Sequence, residues 1–131
     1  MTQAPHQPYQ DQLGVQYQEP LTLNQYQQQA RKTAIYPQKG NRHPNGINYT
    51  ILGLLGEAGE LANDWKKGIR DGGDMTMIKE KLRFELGDVL WYASQLAEEL
   101  GMTLEQVARC NLDKLRDRKT RGTLRGSGDN R

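Results

Sequence analysis

The pairs Glu57-x-x-Glu60 and Glu85-x-x-Asp88 each lie inside an otherwise apolar stretch with helical periodicity, and nothing else in the chain restricts its fold as much. Residues three apart share one face of a helix, so each pair aims two carboxylates in one direction. Two such helices side by side crowd four negative charges together. Crowded carboxylates are costly unless they are protonated, paired or bound to metal, and all-oxygen ligand sets favour hard ions such as Mg2+ or Mn2+ over zinc. The pattern points to metal-assisted chemistry on phosphates. A lone acid pair at this spacing is usually a solvated helix face, which mixes lysines with its acids. Here the neighbours are Gly56, Ala58, Gly59 and Leu61 around one pair, and Leu86, Gly87, Val89 and Leu90 around the other. A di-iron carboxylate bundle would end its motif in histidine, and neither pair does.

The 131 residues suffice for one domain, but a hydrophobic content of 35% is low for a self-sufficient core. Part of the chain must be tail, or another subunit must complete the core. The single cysteine, Cys110, excludes an internal disulfide framework and a cysteine-based zinc site, which fits a reducing cytoplasm. No apolar run has the length of a membrane span, and residues 1–20 lack the hydrophobic stretch of a secretory signal. A soluble cytoplasmic protein without a membrane partner is expected. The net charge of +2 conceals segregation, since Lys114, Arg116, Arg118, Lys119, Arg121, Arg125 and Arg131 crowd the C-terminal end.

Residues 1–20 are rich in Gln and Pro and poor in aliphatic side chains, so they read as a flexible arm ahead of a domain over residues 21–131 that ends in a basic tail. Thr22 with Gln25 makes a capping box, with Leu21 and Tyr26 as its hydrophobic staple, and opens a first helix to about Ile35 before Tyr36-Pro37. Residues 38–48, with Gly40, Pro44 and Asn45-Gly46, read as a loop. A second helix is expected from Tyr49 to Lys67, capped by Gly68, with Ile51, Leu54, Leu55, Ala58, Leu61, Ala62 and Trp65 as its apolar stripe. Gly53, Gly56 and Gly59 each cost that helix up to about 1 kcal/mol relative to alanine, so a close neighbour or room for a ligand should compensate. After a turn at Asp71–Asp74, a third helix runs from Thr76 to Leu100 with Ile78, Leu82, Leu86, Val89, Ala93, Leu96 or Ala97, and Leu100 inside. Lys81, Glu85, Asp88, Tyr92 and Gln95 form the polar stripe beside it. Gly101 ends it, and Thr103 with Gln106 opens a fourth helix to about Lys119. Short connections between four helices imply an all-α bundle.

With these elements placed, the segment from Leu54 to Arg118 resembles the MazG-like nucleoside triphosphate pyrophosphohydrolases. The resemblance rests on Gly-Glu-Ala-Gly-Glu-Leu at 56–61, Glu-Leu-Gly-Asp-Val-Leu-Trp-Tyr at 85–92, and Asn111-Leu112-Asp113-Lys114-Leu115. It implies an all-α bundle of four to five helices completed by oligomerisation, as a homodimer or tetramer. It implies hydrolysis of (deoxy)nucleoside triphosphates between the α- and β-phosphates, giving monophosphate and pyrophosphate, a housecleaning of the nucleotide pool. Mg2+, with Mn2+ as a substitute, would be held by Glu57, Glu60, Glu85 and Asp88, with Glu60 and Glu85 the candidates to accept the attacking water's proton. Lys114 and Arg118 share a helix face and match the family's polyphosphate-binding Lys and Arg, with Asn111 on the same face beside sugar or phosphate.

Trp65, Trp91 and Tyr92 are candidates to stack on the base, as Tyr36 and His43 are to line its pocket, although aromatics at this spacing more often belong to a core. Lys66, Lys67, Arg121 and Arg125 serve as readily for solubility. The alternative is a non-catalytic helical module that binds nucleotide or nucleic acid through the basic C-terminal end. Asp113, Asp117 and Asp129 interrupt that run and no aromatics are interleaved with it, which argues against nucleic acid as the partner.

Overall fold

A computed structural model describes residues 9–10, 16–17 and 19–125 of the chain. The flexible arm expected over residues 1–20 falls largely outside the described residues, as does the end of the basic tail from residue 126. Within the arm, β1 (Tyr9–Gln10) pairs antiparallel with β2 (Gln16–Tyr17), Tyr9 opposite Tyr17. Everything else that is regular is helical: α1 (Leu23–Arg31), α2 (Pro44–Asp71), α3 (Met75–Glu99) and α4 (Leu104–Thr120). Among the described residues the fold is all-α apart from that two-residue strand pair.

Helix starts obey local chemistry. Both expected capping boxes form: Thr22 Oγ1 accepts the Gln25 N–H at 3.1 Å while Gln25 Oε1 accepts the Thr22 N–H at 2.8 Å, and Thr103 with Gln106 repeats the arrangement. Three boundaries differ from expectation, the first being that α1 ends at Arg31, a turn short of Ile35. The α2 helix begins at Pro44 rather than Tyr49, because proline fits the first helical position, where no N–H is needed, and His43 Nδ1 caps it by accepting the Asn45 N–H at 3.1 Å. Asn45-Gly46 is thus the first turn of a helix. At its other end α2 runs past Gly68 to a left-handed Gly72 (φ 62°). Gly68 is helical, and its missing side chain admits Ile78, whose Cδ1 lies 2.7 Å from where a Cβ would be.

The connection over residues 72–74 folds α2 and α3 into an antiparallel hairpin. Its register is visible in the pairs that meet: Gly68 with Ile78, Asp64 with Lys81, Gly53 with Tyr92, and Gly46 with Glu99. The α1 and α4 helices pack on each other and on α3, and neither packs on α2. Gln27 joins them. Its buried side chain donates to the Met102 and Ser94 carbonyls and to Glu98, and accepts the Leu104 N–H at 2.7 Å.

Burial is concentrated at the open end of the hairpin, around Ala30, Ala34, Tyr36, Thr50, Ser94, Gln95, Ala97, Glu99 and Leu104. Of the stripes expected to form the core, Ala97 alone is fully buried, and Leu100 at the end of α3 is 48% exposed. Leu55 and Leu86 are 65% and 59% exposed, Ile51 and Trp65 are exposed, and Leu54, Leu61, Leu82 and Val89 are half-buried. The reason is geometric: α1 and α4 reach only part of α3, so the hairpin from about residue 52 to residue 90 has no partner layer within the described chain.

Candidate metal centre

The hairpin register carries the acids of α2 to those of α3. One carboxylate oxygen each from Glu57, Glu85 and Asp88 lies within 4.8 Å of the other two, with Glu57 and Glu85 half-buried and Asp88 exposed. Glu60 lies outside this trio but close enough to act on it. Burial pushes the Glu57 carboxyl above its ordinary range, and the charges of Glu60, Asp88 and Glu85 push it further. No salt bridge among the described residues reaches the trio. The neighbouring Lys81 is held one turn away by Asp64 at 2.9 Å, a hydrogen bond that raises its pKa. Three hard oxygen donors converging with no ion pair among the described residues fit a divalent ion such as Mg2+.

The glycines now have separate explanations. A Cβ on Gly53 would sit inside the Tyr92 ring, so this glycine permits a close approach. Beside Gly56 and Gly59 no atom of the other described residues, apart from the chain neighbours and the helix's own backbone, lies within 4 Å of such a Cβ, so among the described residues nothing packs on the helix face next to Glu57 and Glu60. Tyr92 packs edge-on to Trp91 (4.9 Å) and tilted against Tyr49 (6.3 Å). Its hydroxyl pKa is raised by burial, by a hydrogen bond with Tyr49, and by Glu57 and Asp88, which places it at the rim of the trio. Tyr26 of α1 also has its pKa raised, by burial and then by Asp88.

The remaining candidates are dispersed. Trp65 is exposed two turns along α2 from Glu57. Trp91 is a structural residue, its indole N–H shared between Thr33 Oγ1 (2.8 Å) and the Ala30 carbonyl (3.2 Å). Tyr36 is buried and donates to Glu99 at 2.6 Å, so it anchors a loop and does not line an open pocket. His43 is the α2 cap. On α4, Asn111 and Lys114 are exposed while Arg118 is buried. Arg118 therefore does not share a solvated basic face with Lys114, and its carbonyl accepts the Thr123 N–H at 2.8 Å as the tail turns back. Lys66 and Lys67 are exposed on α2 and Arg125 beyond α4, while Arg121 is held by Asp117 at 2.7 Å.

Three residues escaped the sequence reading. Glu99 is buried and accepts from Tyr36, from the Gly40 N–H (2.6 Å) and from the Arg42 N–H (3.1 Å), which clamps residues 36–42 onto α3. Tyr26 feels the charge of Asp88, and Tyr49 packs against Tyr92. Only Tyr49 left a trace in the sequence: it lies four and eight residues before Gly53 and Glu57, on one face of α2.

Comparison with known proteins agrees with this geometry. A family model described as the MazG nucleotide pyrophosphohydrolase domain matches residues 45–122, which contain all four acids. The chain is 50% identical over 109 residues to the "Gene 37 protein" of Mycobacterium phage L5, a match covering 81% of this chain and 96% of that protein. No solved structure matches.

Proposed function

We propose, from the premise that this chain belongs to the MazG nucleotide pyrophosphohydrolase family, that it hydrolyses (deoxy)nucleoside triphosphates to monophosphate and pyrophosphate with Mg2+, or Mn2+ in its place, as a guard of the nucleotide pool. The observation that carries this reading is the convergence of Glu57, Glu85 and Asp88 on one point of the hairpin. These three residues would hold the ion. When bound, it neutralises polyphosphate charge and lowers the pKa of the attacking water. Glu60 lies beside the trio without joining it, and it is assigned to accept that water's proton. Asn111, Lys114 and Arg118 are assigned to the phosphates beyond the metal, and Tyr92 and Trp65 to the nucleoside side.

The uncovered hairpin supports a homodimer or tetramer with the acid site near the interface. Leu52, Ile69, Met77 and Phe84 are each more than 60% exposed, an amount of apolar surface that a soluble monomer seldom leaves open. Among the described residues no helix is long and apolar enough to cross a membrane. Incubation with a panel of nucleoside triphosphates and Mg2+, followed by chromatography of the products, tests the proposal. Monophosphate and pyrophosphate are expected, while diphosphate and orthophosphate would place attack at the γ-phosphate and overturn it.

A further inference from the structure

Tyr49 packs one face of its ring on Tyr36 and meets Tyr92 at 6.3 Å, and it is still partly open to solvent. It stacks on Tyr36 with centroids 5.2 Å apart and planes inclined by 16°, yet the residue remains 43% exposed. The ring beneath it does not move freely, because Tyr36 donates to the buried Glu99 at 2.6 Å and meets Trp91 edge-on at 6.4 Å. Tyr92 is half-buried: Trp91 meets its ring at right angles, Tyr49 leans on it, and the ring lies over Gly53. Of the four clustered aromatics, Tyr49 is the one classed as exposed. It also lies on the same face of α2 as Glu57, two helical turns or about 12 Å away along the axis. A nucleotide's sugar covers part of that span between its α-phosphate and its base, and the reach of the Glu57 side chain and of the ion it would hold covers the rest.

We infer that Tyr49 is the platform on which the substrate's base stacks, its ring continuing the pair it forms with Tyr36 while the α-phosphate lies at the acid trio. A nucleobase is a flat heteroaromatic, and offset stacking on tyrosine suits any base, so Tyr49 provides nucleoside affinity and Glu99, acting through Tyr36, is its positioning residue. Prior ordering of the Tyr36–Tyr49 pair lowers the entropy lost on binding. This assignment rests on the nucleotide-hydrolysis reading above.

Two ligands separate the nucleoside contribution from the phosphate contribution. Calorimetry with Mg2+ compares a non-hydrolysable α,β-methylene nucleoside triphosphate with inorganic tripolyphosphate, on wild type, Tyr49→Leu and Tyr49→Phe, each checked for helicity by circular dichroism. The expected result is roughly tenfold weaker nucleotide binding in Tyr49→Leu with tripolyphosphate unchanged, and near-wild-type nucleotide binding in Tyr49→Phe, which keeps the ring. Equal losses for both ligands, or no loss for either, overturn the platform, and a Tyr49→Leu protein that has lost helicity passes the decision to Tyr49→Phe. In that case a tenfold loss of nucleotide binding in the Phe protein overturns stacking in favour of the hydroxyl. Wild type that binds the analogue with this pattern yet hydrolyses no triphosphate refutes the function and leaves the platform standing. Wild type that binds neither ligand refutes both.

Discussion

Gly53 and Tyr92 occupy one space: the Tyr92 ring of α3 lies where a side chain on Gly53 of α2 would begin. This contact sets how closely the two helices approach one turn before Glu57, and it brings the Tyr92 hydroxyl within reach of Glu57 and Asp88. The Gly53→Ala protein should therefore lose about 1–3 kcal/mol, the usual cost of overpacking. Gly56→Ala and Gly59→Ala, where the same added methyl meets nothing within 4 Å, should each gain up to about 1 kcal/mol from helix propensity. Urea unfolding of the three variants checks the contrast, and equal effects would mean that Tyr92 moves aside freely.

The acids should divide by role. Glu57→Gln, Glu85→Gln and Asp88→Asn are each expected to weaken Mg2+ binding tenfold or more in calorimetry, whereas Glu60→Gln should retain most of the affinity while losing turnover. Retained affinity in Glu85→Gln would remove Glu85 from the metal.

Metal-free stability should respond to Glu57 with a definite sign. Burial and three neighbouring acids raise its pKa in the folded chain, so its protonated form favours the fold, and that contribution is lost as pH rises through the raised value. At neutral pH, Glu57→Gln should therefore melt higher than wild type in chelator, and the gap should close as pH falls below the ordinary carboxylate range, near pH 4. A gap independent of pH would assign the effect to packing.

The Tyr36–Glu99 clamp should be visible at alkaline pH. Tyr36 has its pKa raised above the ordinary tyrosine value of 10.0, first by burial and then by its hydrogen bond to Glu99. Stability from this group is fully present below about pH 10 and is lost as pH rises through the raised pKa. Tyr36→Phe should cost about 1.5–3 kcal/mol at neutral pH, the worth of a hydrogen bond to a charged group. Its melting temperature should then fall less steeply than wild type above pH 10.

Oligomer formation is tested by concentration. If a second copy covers the hairpin, the Tm of wild type should rise with protein concentration, and Phe84→Asp should give a smaller species by light scattering with a lower Tm. A fully active wild-type monomer at micromolar concentration would refute the assembly.

The sequence by itself determined what is local. Capping at Thr22 and Thr103, the stop at Gly101, and the pairing of acids three residues apart each depend on neighbours within one or two turns, and each appears where the spacing places it. Even the error at Pro44 was one of weighing, since proline and Asn-Gly serve a helix's first turn as well as a loop. Tertiary structure decided what depends on partners far apart in the chain. The hairpin register chose which three acids converge and left Glu60 beside them. The reach of α1 and α4 left Leu55 and Leu86 open although their periodicity marks a core. Nothing near Glu99 in sequence distinguishes it from Glu98, yet Glu99 is buried under Tyr36, Gly40 and Arg42 while Glu98 pairs with Arg31 at the surface. Periodicity specifies the face a residue lies on, and only the packed neighbours specify what, if anything, covers that face.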